Sequence, residues 1–278
     1  MEPFKSFEEH TYMKDVERDM KAAIISAKQF VCTGYGCVQP NYNSSGYTQS
    51  VQVGHNGKWI MMIKRDSFQV LIYDKWEFMY QSKSLYNLIL KLINSKLSIN
   101  DSYELVNQDN EKVDTQLRHK LSSPMQWDIF QVYESNLLEK TILNGRSYNF
   151  IGFATVQPSL RPNGELVCIK VAIKGRWILQ INKRGVKVLS YTNEYMKENR
   201  SVLNKLFEIL KSNVYCSKEN YFLYNTKKNK QLNTEEWSKL DDELQWNSQT
   251  ISLSDYFTRS IIKPRKLLED FEKVLQVK

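Results

Sequence analysis

The residues of this 278-residue chain that could do chemistry are three histidines, four cysteines and a few carboxylates. A metal site needs Cys or His ligands at short, repeated spacings. His10, His55 and His119 are far apart, and neither His10 nor His119 has a Cys or His at ligand spacing. Cys32, Cys37, Cys168 and Cys216 contain no Cys-x-x-Cys pair. They read as reduced structural thiols of a cytosolic or nuclear protein, not as zinc ligands. No glycine-rich phosphate loop, HExxH or GxSxG pattern occurs. Asp66, Asp74 and Glu77 are one example of a carboxylate group that could hold a metal for a nuclease, although solvated carboxylates around a hairpin are the commoner case. The chain is therefore expected to be non-enzymatic, with no catalytic residue, metal or cofactor.

The chain also matches itself. Gly34-Tyr35 and Val38-Gln39-Pro40 recur 118 residues later as Gly152-Phe153 and Val156-Gln157-Pro158. Gly57-Lys58-Trp59-Ile60 recurs at the same spacing as Gly175-Arg176-Trp177-Ile178. The correspondence runs from Phe30/Tyr148 through Leu85/Leu203, Leu88/Leu206 and Leu92/Leu210 to Tyr103/Tyr221. One inserted residue then brings Lys120-Leu121 onto Lys239-Leu240. A period this long exceeds the roughly 20–50 residues of solenoid repeats, and each unit is large enough to hold its own core. The expectation is a tandem duplication with repeats at 1–128 and 129–278, packed as an intramolecular pseudo-dimer. His55, His119, Asp66, Asp74 and Glu77 all lack a like residue in the other repeat, so none belongs to a duplicated active site.

Periodicity gives the elements of each repeat. Residues 8–28 space their apolar side chains as a helix does, and so does the stretch from Trp127 to Leu143. Phe30 to Val38 reads as a strand stopped at Pro40, followed by Gln49–His55, Lys58–Lys64 and Phe68–Tyr73. Asn56-Gly57 is a hairpin turn, because both central positions of a type I′ turn need positive φ. Helices are expected over Ser84–Ser95 and Val202–Ser212. Short terminal helices are expected over Thr115–Leu121 and Thr234–Leu240, the latter opening on a Thr-Glu-Glu cap, with a last helical stretch over Leu253–Val277. The fold class is α+β: a four-stranded antiparallel meander plus helix, twice.

Strand alternation sets Trp59, Met61 and Ile63 on a core face. Lys58, Ile60, Met62 and Lys64 fall on the other face, matched by Arg176, Ile178, Gln180 and Asn182. A face mixing cations, amides and tyrosine suits single-stranded nucleic acid, where bases stack on flat side chains and Lys or Arg follow the phosphates. The same face could instead pack on the other repeat. The Val-Gln-Pro glutamine could cap a strand end, read a base or bind the partner repeat. The order of four strands and a helix in residues 30–95 and 148–213 resembles the Whirly and Pur-type single-strand-binding families. That resemblance implies sheets turned outward and helices packed together, and it assigns no functional residue.

Net charge is +8, and it is uneven. Residues 1–140 hold 16 Lys/Arg against 17 Asp/Glu, and residues 141–278 hold 23 against 14. A polyanion partner on the second repeat would account for this. The expected nucleic-acid contacts are Lys170, Lys174, Arg176, Lys183, Arg184 and Lys187, with Lys58 and Lys64 from the first repeat, and Tyr73 and Tyr191 for stacking. The alternative is an adaptor docking an acidic protein, with the neutral repeat serving a protein partner. No run of about 20 apolar residues predicts a membrane span, and Met1–Lys5 lacks the apolar core of a secretory leader.

Overall fold

Asn56-Gly57 and Lys174-Gly175 are the punctuation from which both sheets can be traced. All four residues have positive φ, at 44°, 76°, 45° and 76°, so the lysine adopts the same turn as the asparagine it replaces. In this computed structural model the described residues are 7–127, 137–150, 153–189, 192–233, 236–246 and 251–252. The expected Leu253–Val277 helix lies outside them, as does most of the expected helix between Trp127 and Leu143.

The first half runs α1 (Phe7–Ile25), β1 (Phe30–Thr33), β2 (Gly36–Tyr42), β3 (Thr48–His55), β4 (Lys58–Lys64), β5 (Ser67–Val70) and α2 (Trp76–Leu92). Three short strands follow: β6 (Ser98–Ile99), β7 (Leu105–Val106) and β8 (His119–Lys120). The second half runs α3 (Leu137–Leu143), β9 (Tyr148–Phe150), β10 (Ala154–Leu160), β11 (Leu166–Ile173), β12 (Arg176–Asn182), β13 (Gly185–Val188) and α4 (Asn193–Ile209). It continues with β14 (Val214–Cys216), β15 (Leu223–Asn225), β16 (Lys230–Gln231), β17 (Trp237–Lys239) and β18 (Ile251–Ser252). The fold is α+β with antiparallel sheets. One sheet has the order β18-β1-β2-β3-β4-β5-β8, and the other has β17-β13-β12-β11-β10-β9. β18 joins the first sheet by parallel pairing to β1.

The bounds of β2 to β5 reappear 118 residues later as those of β10 to β13. Their irregularities reappear too, with register shifts at Asn41/Tyr42 and Val53/Gly54, and again at Ser159/Leu160 and Val171/Ala172. The helices obey a spacing of 117, because the loop before α4 is one residue shorter than the loop before α2. Met79 therefore corresponds to Met196, Ile89 to Leu206 and Leu90 to Phe207, all buried. The 118-residue pairing of Leu85 with Leu203 is thus one position out, and Tyr86 stands where Leu203 does.

Each half has one apolar core. Val38, Val51, Val53, Met61, Ile63, Phe68 and Val70 share a sheet face with one parity and pack under α1 and α2. The second core gathers Val156, Ile169, Val171, Leu179, Ile181, Val186 and Val188 under α4. The bulge opposite Val53/Gly54 changes the expected faces of β4. Ile60 and Met61 are both fully buried in the core, while Trp59 emerges on the opposite side and packs against the second half's cluster. An extra residue in one strand puts two successive side chains on the same face, so simple alternation fails there.

Two further expectations are corrected. The single strand from Phe30 is a hairpin, β1 and β2, and Pro40 lies inside β2. Its tolerance has a physical cause. Pairing with β1 ends at Phe30↔Val38, so Pro40 faces an edge with no ladder partner. The short helices at 115–121 and 234–240 are also not formed among the described residues; His119–Lys120 and Trp237–Lys239 instead extend the two sheets. Edge pairing outweighs the local capping signal in segments this short.

Gly54 lies where the halves touch. A Cβ on it would stand 2.5 Å from the Pro162 carbonyl oxygen and 2.9 Å from Cys37 Sγ. Backbone that close cannot be relieved by a rotamer change, so Gly54→Ala is expected to cost about 1–3 kcal/mol in urea unfolding. A neutral result would mean that the loop at Pro162 yields freely.

Candidate nucleic-acid interface

The face of each sheet opposite the helices is polar, and strand register orders it into rows. In the second sheet the cross-strand partners are Gln157↔Lys170, Lys170↔Gln180, Gln180↔Lys187 and Lys187↔Trp237. One row therefore reads Gln157, Lys170, Gln180, Lys187, Trp237. The corresponding row of the first sheet reads Gln39, Gln52, Met62, Gln69. Directly paired residues point the same way, with strands about 4.8 Å apart, so each row is a ladder of neighbouring side chains. Lys170, Gln180 and Lys187 are half-buried. The Lys187 Nζ lies 5.7 Å from the Trp237 ring centroid, and Gln180 Nε2 donates to Cys168 Sγ at 3.5 Å.

The inner ends of the two rows meet. Gln39 Oε1 accepts from Leu160 N at 2.6 Å, and Gln157 Oε1 accepts from Tyr42 N at 2.8 Å. Both amide groups also donate to Asn41 Oδ1, at 3.0 and 3.2 Å. Tyr42 and Leu160 sit at the register shifts, where the ladder leaves backbone groups unpaired. The glutamines of the Val-Gln-Pro repeat thus bond each half to the other. Gln29 adds to the junction by accepting from Ser147 N at 3.0 Å, and Asn149 donates to the Gly46 carbonyl.

The other expected contact residues fall into separate groups. Lys174 and Arg176 are exposed at the β11–β12 hairpin, and the Arg176 guanidinium lies 5.0 Å from the Tyr195 ring centroid. Burial pushes the Tyr195 hydroxyl up to about 12, with Arg176 opposing. Lys183 and Arg184 form the β12–β13 turn, where Arg184 Nε is 3.7 Å from Glu243. Lys64 lies half-buried on β4 beside Ser50, on the polar face of the first sheet. Lys58 and Tyr73 occupy each other. The ammonium is 4.2 Å from the Tyr73 ring centroid, and the Tyr73 hydroxyl donates to the Trp59 carbonyl at 2.5 Å. Burial raises the Tyr73 hydroxyl pKa. Tyr191 lies outside the described residues.

Register therefore brings together Lys170 and Lys187; it leaves Lys58 and Lys64 on the other sheet, with Tyr73 in the loop after β5. Sequence reasoning did not reach Trp237 because Thr234–Leu240 carries a helix signal. Its one usable sign was the pairing of Lys120-Leu121 with Lys239-Leu240, which makes both segments the same kind of element.

Other chemistry finds little to work with. The four cysteines are free and buried, and burial pushes the Cys37 thiol up to about 12. Among the described residues no three His, Cys, Asp or Glu side chains are grouped to hold a metal ion, and no helix is long and apolar enough to cross a membrane. Comparison of the chain with protein-family models, curated proteins and solved structures returns no match.

Proposed function

We propose that this protein binds single-stranded nucleic acid through the polar face of its second sheet and catalyses no reaction. The observation that carries the reading is the row Gln157–Lys170–Gln180–Lys187–Trp237. It alternates amides, which hydrogen-bond base edges, with ammonium groups, which meet phosphates, and it ends on an aromatic ring. The basic excess of residues 141–278 lies in the same half.

In this reading residues 1–128 and 129–278 are tandem copies packed as an intramolecular pseudo-dimer. Equal strand bounds, equal register shifts and reciprocal glutamine bonds support that descent. The likeness in element order to Whirly and Pur-type proteins agrees with it. The first copy has Gln52, Met62 and Gln69 where the second has Lys170, Gln180 and Lys187, so the two copies have diverged toward different partners.

Fluorescence anisotropy with labelled single-stranded DNA, single-stranded RNA and duplex DNA at several salt concentrations tests the reading. Single-strand binding is expected to weaken with salt. In Lys170→Glu/Lys187→Glu the loss of two phosphate contacts should flatten the log–log salt slope by about 1.4, with affinity roughly tenfold lower or worse. No binding to any of the three at low salt would overturn it.

A second reading is an adaptor, and a specific observation favours it. Trp76 and Tyr80 are 64% and 58% exposed on the first half and stack with centroids 5.3 Å apart. Exposed aromatics of this kind anchor protein interfaces. Affinity for a protein that is lost in Trp76→Ala and indifferent to oligonucleotide would favour the adaptor.

A further inference from the structure

We infer that Trp237 is a base-stacking platform and that Lys187 is its phosphate-binding neighbour, so that the preferred occupant is a strand with unstacked, unpaired bases. This rests on the nucleic-acid reading above and narrows it. Three observations place the site. Trp237 ends the row, paired with Lys187, and is 41% exposed. Gly185 lies next to it, and a Cβ there would meet Trp237 Cε3 at 3.3 Å. A small residue at that position lets the indole lie close along β13. Lys187 is directly opposite on the ladder, with its Nζ over the indole.

A cation resting on an indole face occupies the place a base would take. An incoming phosphate offers the ammonium a charge-assisted partner. The lysine then leaves the ring as the phosphate arrives, and the exposed face accepts the base attached to it. Phosphate capture and base stacking become linked at one end of the row, while Lys170, two strands away, holds the backbone farther along. Duplexes are poor occupants, because their bases are already stacked and paired. The first sheet lacks this arrangement. Gln69 stands at the place of Lys187 and donates to the Gln116 carbonyl at 3.3 Å, and β8 brings His119 against Phe68.

The test compares a single-stranded oligothymidylate with an abasic oligomer of the same length and charge, at one salt concentration. The difference between parent and Trp237→Phe emission reports the indole. Oligothymidylate should quench that signal and the abasic oligomer should not. Trp237→Ala should bind oligothymidylate about ten- to a hundredfold more weakly, the range expected for one lost stack, while Trp237→Phe keeps most of the affinity. Circular dichroism of Trp237→Ala checks that the sheet is retained, and the quenching comparison between the two oligomers carries the test if it is not. Parent-like binding by Trp237→Ala, or equal quenching by the abasic oligomer, overturns the stacking site and leaves the nucleic-acid reading standing. Failure of the parent to bind either oligomer overturns both.

Discussion

Replacing Gln39 and Gln157 together by alanine is expected to lower the unfolding free energy in urea denaturation, with about 2–6 kcal/mol as the additive limit. Each amide oxygen takes a backbone N–H of the other half, Leu160 N for Gln39 and Tyr42 N for Gln157. Truncation leaves those donors without a partner in a buried or half-buried setting. An unsatisfied buried donor costs about 1–3 kcal/mol, more than the net worth of the bond itself. The two changes should not add. Both glutamines donate to Asn41 Oδ1, so each single variant weakens the setting of the other, with a coupling of about 0.5–3 kcal/mol in a double-mutant cycle. Single variants that each cost under about 0.5 kcal/mol would sink this account. Cohesion would then rest on apolar contacts across the junction, where Val31, Cys37 and Trp59 belong to or pack on the second half's cluster.

The same junction shows where a sequence is legible and where it stops being so. Gly57 and Gly175 were readable because a turn with positive φ narrows the choice of residue at one position. Strand bounds followed from them, since apolar alternation between two fixed turns leaves little freedom. The glutamines were visible as a retained triplet, yet their role was not. Proline normally marks a strand end, and it is because β1 starts only at Phe30, opposite Val38, that Pro40 can be an interior residue whose neighbour reaches across. Trp59 was set on the wrong face because a bulge adds one residue to the count, and nothing in Lys-Trp-Ile-Met announces it. Trp237 was hidden because Thr234–Leu240 carries a local N-cap signal, whereas Trp237–Lys239 pair with β13. Local signals gave the elements. Long-range pairing decided which side chains meet, and the candidate site is made of such meetings.

That distinction bears on why the two halves differ in charge. Retained positions, including Val38/Val156, Ile63/Ile181 and the glycines of the hairpins, serve packing and turns and are common to both. Three divergent positions lie on the polar rows: Gln52 against Lys170, Met62 against Gln180, Gln69 against Lys187. Substitution on a face that contributes little to the core is cheap in stability, so under the proposed duplication this is where one copy can acquire a function that the other lacks. The core then limits what the divergence can be. The rows can change side chain without changing their spacing, which the sheet fixes at about 4.8 Å between strands.

His55 should make the protein acid-sensitive well above the pH at which its carboxylates titrate. The ring is 3% exposed, edge-on to Tyr35 at 4.8 Å and near Phe78 at 6.4 Å, and neither nitrogen has a hydrogen-bond partner among the described residues. Burial lowers its pKa to about 4, and the nearby Tyr35 carbonyl offsets this only in part. In the unfolded chain the value returns to about 6.5. The folded state thus holds the ring neutral where the unfolded state takes up a proton. The contribution to stability is complete above pH 6.5, falls as the pH drops from about 6.5 to about 4, and is flat below that. The full loss across that window is about 3 kcal/mol. The second half carries Ile173 at the matching position, buried without a titratable group. His55→Ile should therefore flatten the pH dependence of unfolding between 6.5 and 4, leaving the part that carboxylates share with the parent. The difference between the two chains is the measurement, since it cancels those carboxylates. Two outcomes would refute the assignment: a His55 proton resonance that titrates near 6.5 in the folded protein, or a His55→Ile chain that loses stability as steeply as its parent. Either would mean that the imidazole reaches water or a partner when it charges, and the β3–β4 end of the sheet would have to open to let it.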